Sequence, residues 1–86
     1  MKIVYKPKFI RQYRKLPIEL QEEIKEKIRL LKADLAHPSL RVHKLKGRLK
    51  GRWSFSVNYS YRIIFIYEEK EKIALLLVGD HAVYNE

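Results

Sequence analysis

Three histidines, His37, His43 and His81, are the only imidazoles in an 86-residue chain that contains no cysteine. Imidazole titrates around neutrality, so a histidine is the natural side chain for moving protons. Without cysteine there is no disulfide, no thiolate metal site and no thiol nucleophile, and the histidine spacing matches no familiar zinc site. No Walker loop, GxGxxG, HExxH or DxDxDG pattern occurs, so nucleotide hydrolysis and metal chemistry lack sequence support and no cofactor is expected. What remains is acid–base and electrostatic chemistry by His, Arg, Lys and Tyr. Cleavage of RNA through a 2′,3′-cyclic phosphate needs only that set. A base takes the 2′-OH proton, an acid protonates the departing 5′-oxygen, and cations stabilise the charge growing on the phosphate.

Each candidate has two readings on the residues alone. His43 opens a basic loop, as a proton carrier or as a solvated surface histidine. Arg62 heads an otherwise apolar run, where a buried guanidinium would need a partner; its charge emerges at the strand end or closes a structural salt bridge. His81 and Tyr84 follow the last apolar run and can reach the same edge, although each alone is an ordinary tail residue. Trp53, Phe55, Tyr59 and Tyr61 could stack on bases, but the strand spacing of Trp53 and Phe55 assigns those two to the core.

Charge is distributed unevenly around these candidates. Between Asp34 and Glu68 there is no acidic side chain, while Arg41, Lys44, Lys46, Arg48, Lys50, Arg52 and Arg62 supply seven of a net nine positive charges. Such a block reads as a surface facing a polyanion, with Lys44, Lys46, Arg48, Lys50 and Arg52 as RNA contacts; the bland alternative is a solvated basic loop. A pI near 9.9 suits nucleic acid, an anionic membrane surface or an acidic protein equally.

The surrounding elements follow from periodicity. Lys2 to Tyr5 is a short β-type run, and Pro7 suits the first turn of a helix over Lys8 to Lys15. Pro17 ends that helix and opens a second, in which Leu20, Ile24, Ile28, Leu31 and Leu35 form one apolar stripe. Its outer face offers Glu23 to Lys27 at i,i+4 and Glu26 to Arg29 at i,i+3. The two helices should form an antiparallel hairpin laid on a sheet. Trp53, Phe55, Val57 and Tyr59 alternate with Ser54, Ser56, Asn58 and Ser60, which predicts a half-buried strand with a polar face. Asn58 to Ser60 is a turn, and Arg62 to Tyr67 and Ile73 to Val78 are central strands joined by a solvated EEKEK loop. The expected class is α+β: an N-terminal strand, then a helical hairpin on a small antiparallel sheet. No composition break divides residues 1–86, so one domain is expected, with a small core and a partner to cover apolar surface. The start is too short and charged for a secretory signal and no run is long enough to span a membrane, which predicts a soluble, cytoplasmic protein.

The order strand, helical hairpin, basic loop and three antiparallel strands resembles the RelE superfamily of bacterial and archaeal toxins, particularly its YafQ and YoeB branches. The likeness covers essentially the whole chain. It rests on HKLKGRLKGRWSFSV, YRIIFIY and LLLVGDHAVY, none diagnostic singly but specific in their order and spacing. The resemblance implies a type II toxin that cleaves messenger RNA, typically in the ribosomal decoding site, and is held inactive by a cognate antitoxin. By the same resemblance His43 is a general base, Lys46 a phosphate-binding lysine, Arg62 the stabiliser of the transition state and His81 the general acid, with Tyr84 near a terminal aromatic used by several members. YafQ-like toxins carry a further histidine and aspartate near the middle strands, where this chain has Asn58 and Arg62. The alternatives are a ParE-like toxin that poisons DNA gyrase, whose members generally lack this set of residues, and a noncatalytic RNA-binding module.

Overall fold

The computed structural model describes residues 1–85. Its elements are β1 (Lys2–Tyr5), α1 (Pro7–Arg14), α2 (Ile18–Ala33), β2 (His43–Lys44), β3 (Trp53–Ser56), β4 (Arg62–Glu69) and β5 (Lys72–Gly79), with 3-10 turns at Pro38–Leu40, Gly47–Leu49 and His81–Asn85. The sheet order is β1-β5-β4-β3-β2. As the sequence indicates, β3, β4 and β5 are antiparallel neighbours. At one edge the two-residue β2 extends this antiparallel set, and at the other β1 lies parallel to β5, from Lys2 opposite Lys72 to Tyr5 opposite Leu75. The class is α+β, and β1 makes the sheet mixed.

Pro7 stands in the first turn of α1, where its missing N–H would have had no intrahelical partner. Pro17 is the N-cap of α2. Gln21 stitches the hairpin: its Nε2 donates to the carbonyls of Tyr13 at 3.1 Å and Leu16 at 3.0 Å, the first of which also accepts the Leu16 N–H at 3.1 Å as α1 closes. From the predicted stripe, Ile24, Ile28 and Leu31 are buried, and Leu20 and Leu35 pack against the core from its margin. Leu35 does so from beyond the helix, which closes where the Asp34 N–H meets the Leu30 carbonyl.

Two cores lie on the two faces of the sheet. On the helical face Phe9, Ile24, Ile28 and Leu31 meet Phe55, Ile63, Phe65, Ile73, Leu75 and Val78, with Phe55 and Phe65 packed edge to face at 5.8 Å. The other face buries Ile64, Leu77 and Val83, with Leu45 and Tyr84 against them. A bulge at Leu76 separates the register pairs Ile64–Leu77 and Phe65–Leu75, so β5 serves both cores. Ser54 is buried completely and Ser56 almost so. The face that alternation marks as polar and wet is therefore roofed by the His81–Asn85 turn.

Candidate active site

Register decides which side chains share a face, because directly paired residues of antiparallel strands point the same way. Pairing places His43 opposite Ser54, Ser56 opposite Arg62, Ser54 opposite Ile64 and Ile64 opposite Leu77. His43, Ser54, Ser56 and Arg62 thus share the face that carries Val83 and Tyr84. The turn that roofs it completes the group. Tyr84 and Ser54 exchange a hydroxyl–hydroxyl hydrogen bond of 3.0 Å, and the rings of His81 and Tyr84 lie 6.4 Å apart.

His43 is exposed, and its Nδ1 lies 2.8 Å from the Arg41 carbonyl. A carbonyl only accepts, so Nδ1 carries the hydrogen, and in the neutral ring Nε2 keeps its lone pair. A ring so held presents Nε2 as an acceptor.

Arg62 is half-buried at the start of β4, and its Nη1 donates to the carbonyls of Asn58 at 2.6 Å and Tyr61 at 3.0 Å. No ion pair holds it among the described residues, which removes the salt-bridge reading. Two backbone tethers fix one nitrogen and orient the rest of the fork. Asn58 is the hub of that turn. Its Oδ1 accepts from the Ser60 and Tyr61 N–H groups at 2.9 and 2.8 Å, and its Nδ2 donates to Glu23 on α2 at 2.8 Å. Asn58 is thus a structural clamp that ties the turn before β4 to α2. Arg62 and His81 line a cleft of about 490 Å³ together with Lys27, Ser39, Arg41, Ser56, Val57, Asn58 and Tyr59.

The basic loop sits apart from this cleft. It is the tip of the β2–β3 hairpin, closed by Leu45 N–H to the Arg52 carbonyl at 2.9 Å, with Gly47 and Gly51 at φ of 68° and 91°. Both glycines occupy backbone conformations that side chains disfavour, which explains their pairing in the motif. Lys46, Arg48 and Lys50 are exposed and Arg52 is half-buried. Lys44 lies elsewhere, its Nζ 5.5 Å from the centroid of the Trp53 ring on the helical face. His37 is a cap: its Nδ1 accepts from the Ser39 N–H at 3.2 Å, starting the Pro38–Leu40 turn. Among the described residues no three His, Asp or Glu side chains converge as metal ligands would. Sequence reasoning left Ser54 on a polar face and gave Asn58 a place in a turn but no bond to α2. A serine in alternation gives no sign of being roofed, whereas an asparagine at a turn carries a signal, its capacity to accept from N–H groups two and three residues on.

Comparison with known proteins agrees with this architecture. A family model described as RelE-like toxin of the type II toxin-antitoxin system HigB matches residues 7–81. The chain therefore belongs to the RelE-like toxins of type II toxin-antitoxin systems, and to the HigB-like group within them. Among solved structures, YafQ from Escherichia coli BL21(DE3) is similar with a TM-score of 0.81 at 18% identity, covering 99% of this chain and 98% of that one. The toxin–antitoxin complex RelBE2 from Mycobacterium tuberculosis gives a TM-score of 0.77 at 17% identity, covering 93% and 96%. A YoeB/ParE toxin from Agrobacterium tumefaciens gives 0.76 at 20% identity, covering 94% and 99%. These likenesses concern the fold. No curated protein sequence matches the chain significantly.

Proposed function

We propose that residues 1–86 form one toxin domain that cleaves messenger RNA as a metal-independent endoribonuclease, at the ribosome and in the cytoplasm, until an acidic antitoxin silences it. The observation that carries this reading is the gathering of His43, Arg62, His81 and Tyr84 on one side of the sheet, beside a cleft with no acidic lining. His43 Nε2 takes the 2′-OH proton as the 2′-oxygen bonds to phosphorus. Arg62 stabilises the charge on the phosphoryl oxygens. The bond from phosphorus to the 5′-oxygen breaks, and that oxygen takes a proton from His81, which shares the cleft with Arg62; Tyr84 is the alternative donor. The products are a 2′,3′-cyclic phosphate and a 5′-hydroxyl.

The helical hairpin supports the partner. Tyr5, Phe9, Ile10, Tyr13 and Ile28 floor a groove whose rim carries Arg14, Lys25, Arg29 and Lys32. An apolar floor with a cationic rim suits an acidic amphipathic segment, and a similar protein, RelBE2, was solved as a toxin–antitoxin complex.

The test is incubation of the purified chain with translating ribosomes and chemical mapping of new ends. Cleavage leaving 5′-hydroxyl ends is expected. Ends bearing 5′-phosphate, the mark of metal-assisted hydrolysis, would overturn the mechanism, and no new ends at all would favour a noncatalytic binder.

A further inference from the structure

The cleft beside Arg62 holds more positive charge than the reaction uses. Helical spacing pairs Lys27 with Glu23, but the Glu23 carboxylate instead accepts from Asn58 Nδ2 at 2.8 Å. Lys27 is left half-buried on the cleft wall with no ion pair among the described residues. An ammonium without a carboxylate partner is available to an anion.

Arg41, an exposed residue, is a second cation of the cleft lining. Its backbone lies at φ 50° and ψ 46°, the one non-glycine residue with positive φ among those described. Residues with side chains rarely adopt this conformation, and where they do it often belongs to a working site. Here its carbonyl holds His43 while its side chain lines the cleft, with no carboxylate partner among the described residues. No lining residue is acidic.

At the rim stands Tyr59, 93% exposed, the most exposed large hydrophobic side chain of the molecule. No ring contact engages it among the described residues. Yet the turn that carries it is fixed, because Asn58 bonds to the two N–H groups that follow Tyr59 and to α2. An exposed aromatic on a rigid turn, beside two unpaired cations, matches one unpaired nucleotide: a π-face for the base and positive charge for its phosphate.

We propose that Tyr59, Lys27 and Arg41 form a subsite for a single unstacked nucleotide of the RNA strand, so that the cleft selects single-stranded over duplex substrate. This rests on the RNA-directed reading above and adds its substrate class. In a duplex both faces of each base are covered by its neighbours, and Tyr59 has nothing to stack on.

The test measures binding of the full chain to an uncleavable 2′-O-methyl RNA oligonucleotide of unstructured sequence, and to a blunt duplex of the same length. Tyr59→Ala should weaken single-strand binding at least about fivefold, with Tyr59→Phe within about twofold of the parent and duplex binding unchanged. Lys27→Gln should lower the slope of log affinity against log salt by about 0.7, the value for one phosphate contact on a single strand. Tyr59 and Lys27 lie outside the cores, so loss of folding does not confound either variant. Unchanged binding by Tyr59→Ala, or equal loss on strand and duplex, would overturn the subsite while leaving ribosomal cleavage as a separate result. Failure of the parent chain to bind the strand would remove the RNA reading along with it. Loss confined to an acidic probe, polyglutamate, with RNA affinity kept, would assign the cleft to a protein and overturn the proposal equally.

Discussion

His43 and Arg62 are held by backbone carbonyls, and this sets what their loss should do. Neither is part of a core, so His43→Ala and Arg62→Ala should leave thermal unfolding nearly unchanged while single-turnover RNA cleavage falls, by about 10² to 10⁴ for the base and about 10² to 10³ for the charge stabiliser. Folded protein with parental rates in either variant would remove that residue from the mechanism. Tyr67 invites a different experiment, on the helical face, where its ring meets Trp53 edge to face at 5.2 Å. Burial raises its phenol above the ordinary 10.0. The folded chain therefore holds that proton more tightly than the unfolded chain. Below the ordinary value both states are neutral and nothing changes. As pH climbs past 10.0 the unfolded chain ionises first, and this part of the stability is lost until the folded phenol ionises as well. Thermal unfolding of Tyr67→Phe and the parent between about pH 9 and 11 should show a shallower alkaline decline in the variant; parallel curves would contradict it.

At the scale of elements, the His81–Asn85 turn is fixed by one close approach. A Cβ built on Gly79 would sit 2.8 Å from Val83 Cγ1, and Val83 is buried with Ile64 and Leu77. Val83 is β-branched and packed, so it cannot swing aside alone. Gly79→Ala should lever the turn outward, breaking the Tyr84–Ser54 hydrogen bond and displacing His81. We expect a cleavage defect larger than the stability loss, read by comparing single-turnover rates with unfolding midpoints. A rate equal to the parent's would mean that the roof is not part of the site. The β2–β3 hairpin tip makes the complementary case. Its exposed cations line no part of the cleft, so Lys46→Ala should flatten the salt dependence of RNA affinity by about 0.7 without altering the turnover of bound substrate. An unchanged slope would take this loop out of the RNA footprint.

At the scale of the molecule, sequence legibility followed the strength of local pattern. The α2 stripe was readable because five apolar residues keep helical spacing, and β4 and β5 were readable as apolar runs too short for helices. The pairing of β1 was not, since four residues reading KIVY carry no information about which strand they will join. Lys44 looked like one cation among many in a loop, but a two-residue strand turned it onto Trp53. Ser54 looked solvated, because alternation reports polarity and cannot see a roof supplied 30 residues later. Lys27 shows the limit of helical pair rules, which weigh neighbours along one helix and miss an amide arriving from a distant turn. His43, Arg62, His81 and Tyr84 were visible as types and positions, whereas the hydrogen bonds that orient them depend on chain segments brought together by folding.

The parallel edge also bears on how the chain is made. β5 lies between β1 and β4 in the sheet, yet it follows both in chain order. Until it emerges during synthesis, β1 has no partner, β4 is an open edge and the helical core lacks Ile73, Leu75 and Val78. Contacts between the first strand and the fifth are the longest-range in the sheet, the kind that form last. Nascent chains stalled after Glu71 should therefore be digested by protease as unfolded polypeptide, and those stalled beyond Tyr84 and clear of the exit tunnel should resist; resistance in the shorter set would contradict the dependence. Since His81 and Tyr84 follow β5, the turn that roofs the candidate site cannot settle before the strand that anchors it has paired.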